Sequence, residues 1–88
     1  MKESKNRKSA DFEEMFNAAL REINREYESG TIPYIRQNHP PFWQKIVEGE
    51  NLLGDLWLAG EVESFRIALG EWKNLNLQAI EIFRGQSK

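Results

Sequence analysis

The chain has 88 residues, which suits one small domain, and its 40% hydrophobic and 11% aromatic content supplies a modest core. It contains no cysteine, which excludes a disulfide framework and a thiolate metal site. No apolar run approaches the roughly 20 residues that span a bilayer, so we expect a soluble, cytoplasmic protein without a membrane anchor.

The net charge of −2 is unevenly distributed along the chain. Residues 1–10 carry four cations and one carboxylate, a net +3, which leaves −5 on the remainder. This polar leader has no apolar period and is predicted to be disordered. An acidic body is a poor match for a phosphate backbone, so we expect no nucleic-acid partner. The leader nevertheless leaves one alternative open, a nucleic-acid-associated regulatory protein that acts through these cations.

The first amphipathic segment predicts a helix over about residues 11–28. Ser9 and Asp11 are both candidate N-caps, and Glu14 follows Asp11 at the spacing of a capping box. The predicted buried line recurs at helical spacing and consists of Phe12, Phe16, Leu20, Ile23 and Tyr27. Gly30 follows as a stop signal. A short helical turn is predicted near 32–38, with Thr31 as its cap.

The next segment, about 41–59, begins at Pro40-Pro41, and proline suits the first turn of a helix. Its apolar side is formed by Phe42, Ile46, Leu53 and Trp57, flanked by Trp43 and Leu56. Gly60 supplies the left-handed residue that commonly closes a helix. The third helix is predicted over about 61–84, with a band roughly 160° wide that should contact more than one neighbour.

These elements predict an all-α antiparallel bundle of three main helices (about 11–28, 41–59 and 61–84) with a short helical turn near 32–38. Short connections favour antiparallel neighbours, and no segment alternates with the period of a strand. We expect one helical domain over 11–85, a tail over 86–88, and Trp57 and Trp72 facing inward together across the turn at Gly60.

The sequence contains few of the side-chain arrangements that catalysis needs. His39 is the lone histidine, no serine lies in a nucleophile-elbow context, and the six glycines form no phosphate loop. The carboxylates fit a charged helix surface better than a paired-acid site. We therefore predict a protein that is not an enzyme and has no metal or cofactor.

Four residues interrupt the helical patterns. Glu50 and Asn76 project onto the apolar sides of their helices. A buried amide must be hydrogen-bonded there, and we expect Asn76 to bond the backbone of a loop or of a partner. Ile67 and Leu77 project onto an otherwise polar side and indicate surface left over after the monomer folds.

We hypothesise a non-catalytic module for protein–protein interaction or self-association, with a homodimer as the simplest assembly. The other alternative is a small-molecule sensor with a tryptophan-lined pocket. The candidate interaction or pocket residues are Trp43, Glu50, Trp57, Ile67, Trp72, Asn76 and Leu77.

Overall fold

The computed structural model describes the backbone of residues 2–86 and the side chains of residues 11–86. The described chain is all helical and contains no strand, which confirms the predicted fold class. Its elements are α1 (Lys2–Glu26), α2 (Thr31–Asn38), α3 (Pro40–Ala59) and α4 (Val62–Gln86).

The first helix differs from its prediction at both ends. α1 is assigned from Lys2, upstream of the predicted start, and ends at Glu26. The prediction of a disordered leader over 1–10 lies outside the described side chains and stays a prediction. Tyr27 follows the last helical residue and is 38% exposed, so its predicted place in the buried line is wrong.

The connection between α1 and α2 turns at Gly30, whose φ of 99° is a left-handed conformation that glycine adopts without strain. Thr31 is the first residue of α2 and not its cap, contrary to the prediction. Its hydroxyl Oγ1 donates to the carbonyl of Glu28 at 2.7 Å, which satisfies a buried polar group. α2 packs on α3 and α4, and Ile35 is its most deeply buried side chain.

The hairpin of α3 and α4 forms as the sequence predicts. Pro40 and Pro41 occupy the first positions of α3, and Gly60 ends the helix with φ 74°. The Gly60 N–H donates to the Trp57 carbonyl at 3.1 Å, and the Glu61 N–H donates to the Leu56 carbonyl at 3.0 Å. This pair of bonds is the Schellman motif, which satisfies carbonyls at a helix end.

The last helix is central to the bundle, because α4 packs against α1, α2 and α3. Its wide apolar band is therefore shared among three neighbours. Phe12 of α1 lies against Phe65 near the start of α4, and Arg84 near its end pairs with Glu26. α1 therefore runs parallel to α4, whereas α3 returns antiparallel to it through the turn at Gly60.

The core combines aliphatic residues from all four helices with an aromatic cluster at one end of the bundle. The cluster joins α1, α3 and α4 through Phe12, Trp57 and Phe65. Phe65 is fully buried and Phe12 is 1% exposed, whereas Trp57 is half-buried. Such ring pairs contribute about 0.5–1.5 kcal/mol each beyond the area that they bury, so this end is tightly packed.

Replacing Gly60 by alanine tests the left-handed helix end. We expect G60A to lower the free energy of unfolding by about 1–2 kcal/mol, because a Cβ is unfavourable at positive φ. The matched control is G54A, since a Cβ at Gly54 in α3 meets nothing within 4 Å. G54A should raise stability by about 0.5–1 kcal/mol through helix propensity. Urea unfolding of both variants measures the two effects, and a shift of the same sign in both would contradict the assignment.

Candidate functional site

A groove runs between α1 and α3, with α4 as its floor and α2 at one end. It encloses about 320 Å³ and is open to solvent along its length. Its apolar lining includes the half-buried Phe16, Leu20 and Trp43 and the exposed Tyr27 and Ile32. It is an area of large apolar side chains that the fold leaves partly uncovered.

Aromatic rings hold the walls of this groove apart. The Phe12 ring stacks on Trp57 with centroids 5.7 Å apart, and the Phe16 ring meets Trp57 at 6.5 Å. Within the described chain, α1 and α3 each pack on α4 but do not pack closely on each other. These rings fill the space between α1 and α3 at one end of the bundle, and the groove lies beyond them, where Leu20 and Trp43 are only half-buried.

The floor of the groove contains a buried donor. Trp72 is 6% exposed, and its indole Nε1 has no hydrogen-bond partner among the described residues. Its ring is stacked on Phe16 at 5.5 Å, and a Cβ added to Gly49 would lie 3.1 Å from its Cδ1 atom. The indole is therefore held between α1 and α3. An unpaired buried N–H costs about 1–3 kcal/mol.

Two further polar side chains line the groove. Asn76 donates from Nδ2 to the carbonyl of Trp72 at 2.9 Å, one turn earlier in its own helix. The expectation that Asn76 bonds a loop is therefore wrong, whereas a bond to a partner backbone stays a prediction. The Asn76 Oδ1 makes no described hydrogen bond. Glu50 is exposed, is the only charged lining residue, and has no ion-pair partner among the described side chains.

Four of the candidate residues meet in this groove: Trp43, Glu50, Trp72 and Asn76. The Arg36 guanidinium lies over the Trp43 ring, with its Cζ atom 5.8 Å from the ring centre. Trp57 is in the aromatic cluster and does not line the groove. Trp57 and Trp72 both face the interior and are linked through the ring of Phe16.

The two apolar residues predicted on the polar side of α4 have different positions. Ile67 is 64% exposed, as expected of leftover surface. Leu77 is half-buried against the core and borders a cleft with Glu22 and Arg84, so its prediction as leftover surface is wrong. It covers the contact between α1 and α4, which its position on one helical wheel does not show.

Sequence reasoning missed Leu20, Tyr27 and Ile32 as groove residues and Leu58 as the most exposed leucine, at 89%. Leu58 had a usable signal, because it falls opposite Ile46 and Leu53 on the helical wheel of α3. No sequence signal marked the groove residues, because Leu20 and Tyr27 continue the apolar line of α1.

Ion pairs join α1 to α4 away from the groove. Arg84 donates from Nε to a Glu28 carboxylate oxygen at 2.6 Å and from Nη2 to Glu26 at 3.1 Å. These hydrogen bonds, that of Glu28 first, raise the pKa of Arg84 above its ordinary value. Lys73 pairs with Glu22 at 3.2 Å.

The described side chains contain no group of three histidine, cysteine or acidic residues that could hold a metal ion. Over the same part of the chain, no helix has the length and apolar character to cross a membrane. In comparisons with known proteins, no family model, curated protein or solved structure matches this chain.

The groove lining is mainly apolar, with an amide at Asn76 and a carboxylate at Glu50. The unpaired Trp72 donor is buried beneath this lining. The lining includes no serine, histidine or lysine that would form a nucleophile with its base.

Replacing Trp72 by phenylalanine tests whether the indole donor is unpaired. We expect W72F to lower stability by less than W57F, although Trp72 is the more buried residue. The loss of apolar area in W72F is offset by removing a donor that costs about 1–3 kcal/mol. Urea unfolding monitored by circular dichroism compares the two variants. A clearly larger loss in W72F would show that the indole N–H is satisfied in solution.

Proposed function

We propose that this chain is a non-catalytic protein-interaction module that binds a helix in the groove between α1 and α3. The observation that carries the proposal is the arrangement around α4. α4 packs against both α1 and α3, which do not pack closely on each other. Three helices thus occupy three corners of a four-helix bundle, and a helix laid in the groove would complete it.

The groove is long enough for about two turns of a docked helix. Its wall on α1 extends from Phe16 to Asn24, about 12 Å at 1.5 Å per residue, which is more than two helical turns. An amphipathic helix would place apolar side chains against these walls at three- and four-residue spacing. The large rings of Trp43 and Phe16 are side chains of the kind that anchor protein interfaces.

A small-molecule sensor is the second candidate, because Trp43, Glu50, Trp72 and Asn76 line the same groove. A small, partly open cavity adjoins the groove at Trp43 and Asn76 and measures about 10 Å³, room for about one water molecule. A small ligand would therefore have to bind in the open groove, whereas most pockets bury at least 70% of their ligand. The geometry favours the helix. Nucleic-acid association through the basic leader stays a prediction.

Charge placed in the groove should block helix binding. A synthetic amphipathic helix of about 18 residues, with leucine on one face and glutamine on the other, serves as a neutral probe. We expect L20E to weaken its affinity at least about tenfold, because a carboxylate would be buried against leucine. The matched control is I67E, on the exposed face of α4, which should leave the affinity unchanged. Tryptophan fluorescence measures binding, and circular dichroism verifies folding. Equal affinity in both variants would contradict the proposal.

Self-association is the other form of the interaction, with a helix of a second copy in the groove. Light scattering across a range of concentrations distinguishes the two forms. A dimer that L20E dissociates and I67E leaves intact would identify the second copy as the occupant. A dimer that I67E dissociates would place the interface on the outer face of α4 and not in the groove.

A further inference from the structure

We infer that the occupant of the α1–α3 groove is α3 of a second copy of this chain, which lies antiparallel to α3 of the first copy. This inference rests on the proposed function and names the partner of its groove. Three observations carry it: an uncovered apolar stripe on α3 beside the groove, the length of α3, and two opposite charges at separate points along the groove.

α3 carries a second apolar surface besides its buried side. Val47 and Leu58 follow Trp43 at four and fifteen residues, so the three side chains form a stripe along one face of the helix. Trp43 and Val47 are half-buried, and Leu58 is 89% exposed. The stripe borders the groove, because Trp43 also lines it. An interface between identical copies needs complementary surfaces on one chain, and here the groove and an uncovered helix face adjoin.

The dimensions agree with this occupant. α3 has 20 residues, about 30 Å at 1.5 Å per residue, and the α1 wall of the groove is about 12 Å long. Twofold symmetry places each α3 in the groove of the other copy. Each groove then gains its fourth helix, and the same contact covers the stripe on each α3.

Two opposite charges lie at separate points along the groove. Glu50 is the only charged residue in the lining, and the Arg36 guanidinium lies over Trp43, which lines the groove seven residues earlier. Both charged side chains are exposed, and neither forms an ion pair among the described side chains. Seven residues of helix separate the two points by about 10 Å.

These charges set the direction of the partner helix. In an antiparallel pair with the twofold axis near Val47, Glu50 of each copy faces Arg36 of the other. A parallel pair would bring Glu50 to Glu50 and Arg36 to Arg36, which opposes binding. The net charge of −2 per chain is small, so long-range repulsion between the copies is weak.

A foreign helix of one charge sign fits this pattern less well. A basic helix would be repelled at Arg36, and an acidic helix would be repelled at Glu50. α3 of a second copy, together with the Arg36 that lies on its Trp43, presents both charges at the same separation and in the reverse order. The second copy therefore meets both charges with an opposite one.

A cysteine at the twofold axis tests the assembly. The chain contains no cysteine, so V47C adds the only thiol. We expect V47C to form a disulfide-linked dimer on mild oxidation, because the axis brings its two Cβ atoms close together. The matched control is L52C, which is exposed on the side of α3 away from the groove and should stay monomeric on denaturing gels. Equal crosslinking of both variants would reflect random collision and would overturn the interface.

Reversal of the two charges tests the direction. R36E and E50R should each weaken the dimer about tenfold or more, because each places like charges at both contacts of the twofold interface. The double variant restores opposite charges and should regain most of this loss. Sedimentation across a range of concentrations measures the dissociation constant, and circular dichroism verifies folding. Losses that simply add in the double variant would overturn the antiparallel pairing.

The remaining outcomes separate this inference from the proposed function. A chain that stays monomeric at every concentration, yet binds the neutral leucine helix in a manner that L20E blocks, would keep the groove as a docking site and overturn the second copy as its occupant. A dimer that crosslinks through L52C and not through V47C would do the same. If L20E altered neither dimerisation nor helix binding, the proposed function itself would fail.

Discussion

The stacking of Phe12 on Trp57 is the contact on which the shape of this bundle depends. It fills the space between α1 and α3 with two whole rings, and Phe65 of α4 closes it from below. Closely packed helices lie about 8–10 Å apart, and α1 and α3 do not pack closely on each other in the described part of the chain. The rings fill the space between them at one end, and the groove is the part where Phe16, Leu20 and Trp43 stay partly uncovered.

The two long sides of α4 are stabilised by different interactions. Toward α3, the Schellman turn at Gly60 keeps the hairpin short and in register. Toward α1, the covalent connection is distant in sequence, and ion pairs of Lys73 and Arg84 span the contact. Exposed ion pairs contribute little stability, about 0–1 kcal/mol. The buried contacts of Phe12 with Phe65 and of Phe16 with Trp72 therefore do more to hold α1 against α4.

The helices could be predicted from the sequence because their signals are local. Apolar residues at helical spacing, Pro40-Pro41 and Gly60 identified α3 and α4 to within two residues at each end. The groove could not be predicted in the same way. A helical wheel gives the direction of a side chain but not the distance between two helices. Trp57 was therefore grouped with Trp43 and Trp72, and Leu77 was placed on the surface. The packed ring pairs place Trp57 in the aromatic cluster, and the contact of α1 with α4 partly buries Leu77.

Two residues at the floor of the groove, Gly49 and Trp72, each carry a local energetic cost. Gly49 in the interior of α3 is less favourable for helix formation than alanine by about 1 kcal/mol, yet a Cβ there would press on Trp72. Trp72 in turn buries an N–H that phenylalanine would not have. Gly49 makes room for the indole, and the indole leaves a donor without a partner among the described residues. The Trp72 ring is stacked on Phe16 and buried between α1 and α3, so the apolar area that it buries offsets both costs.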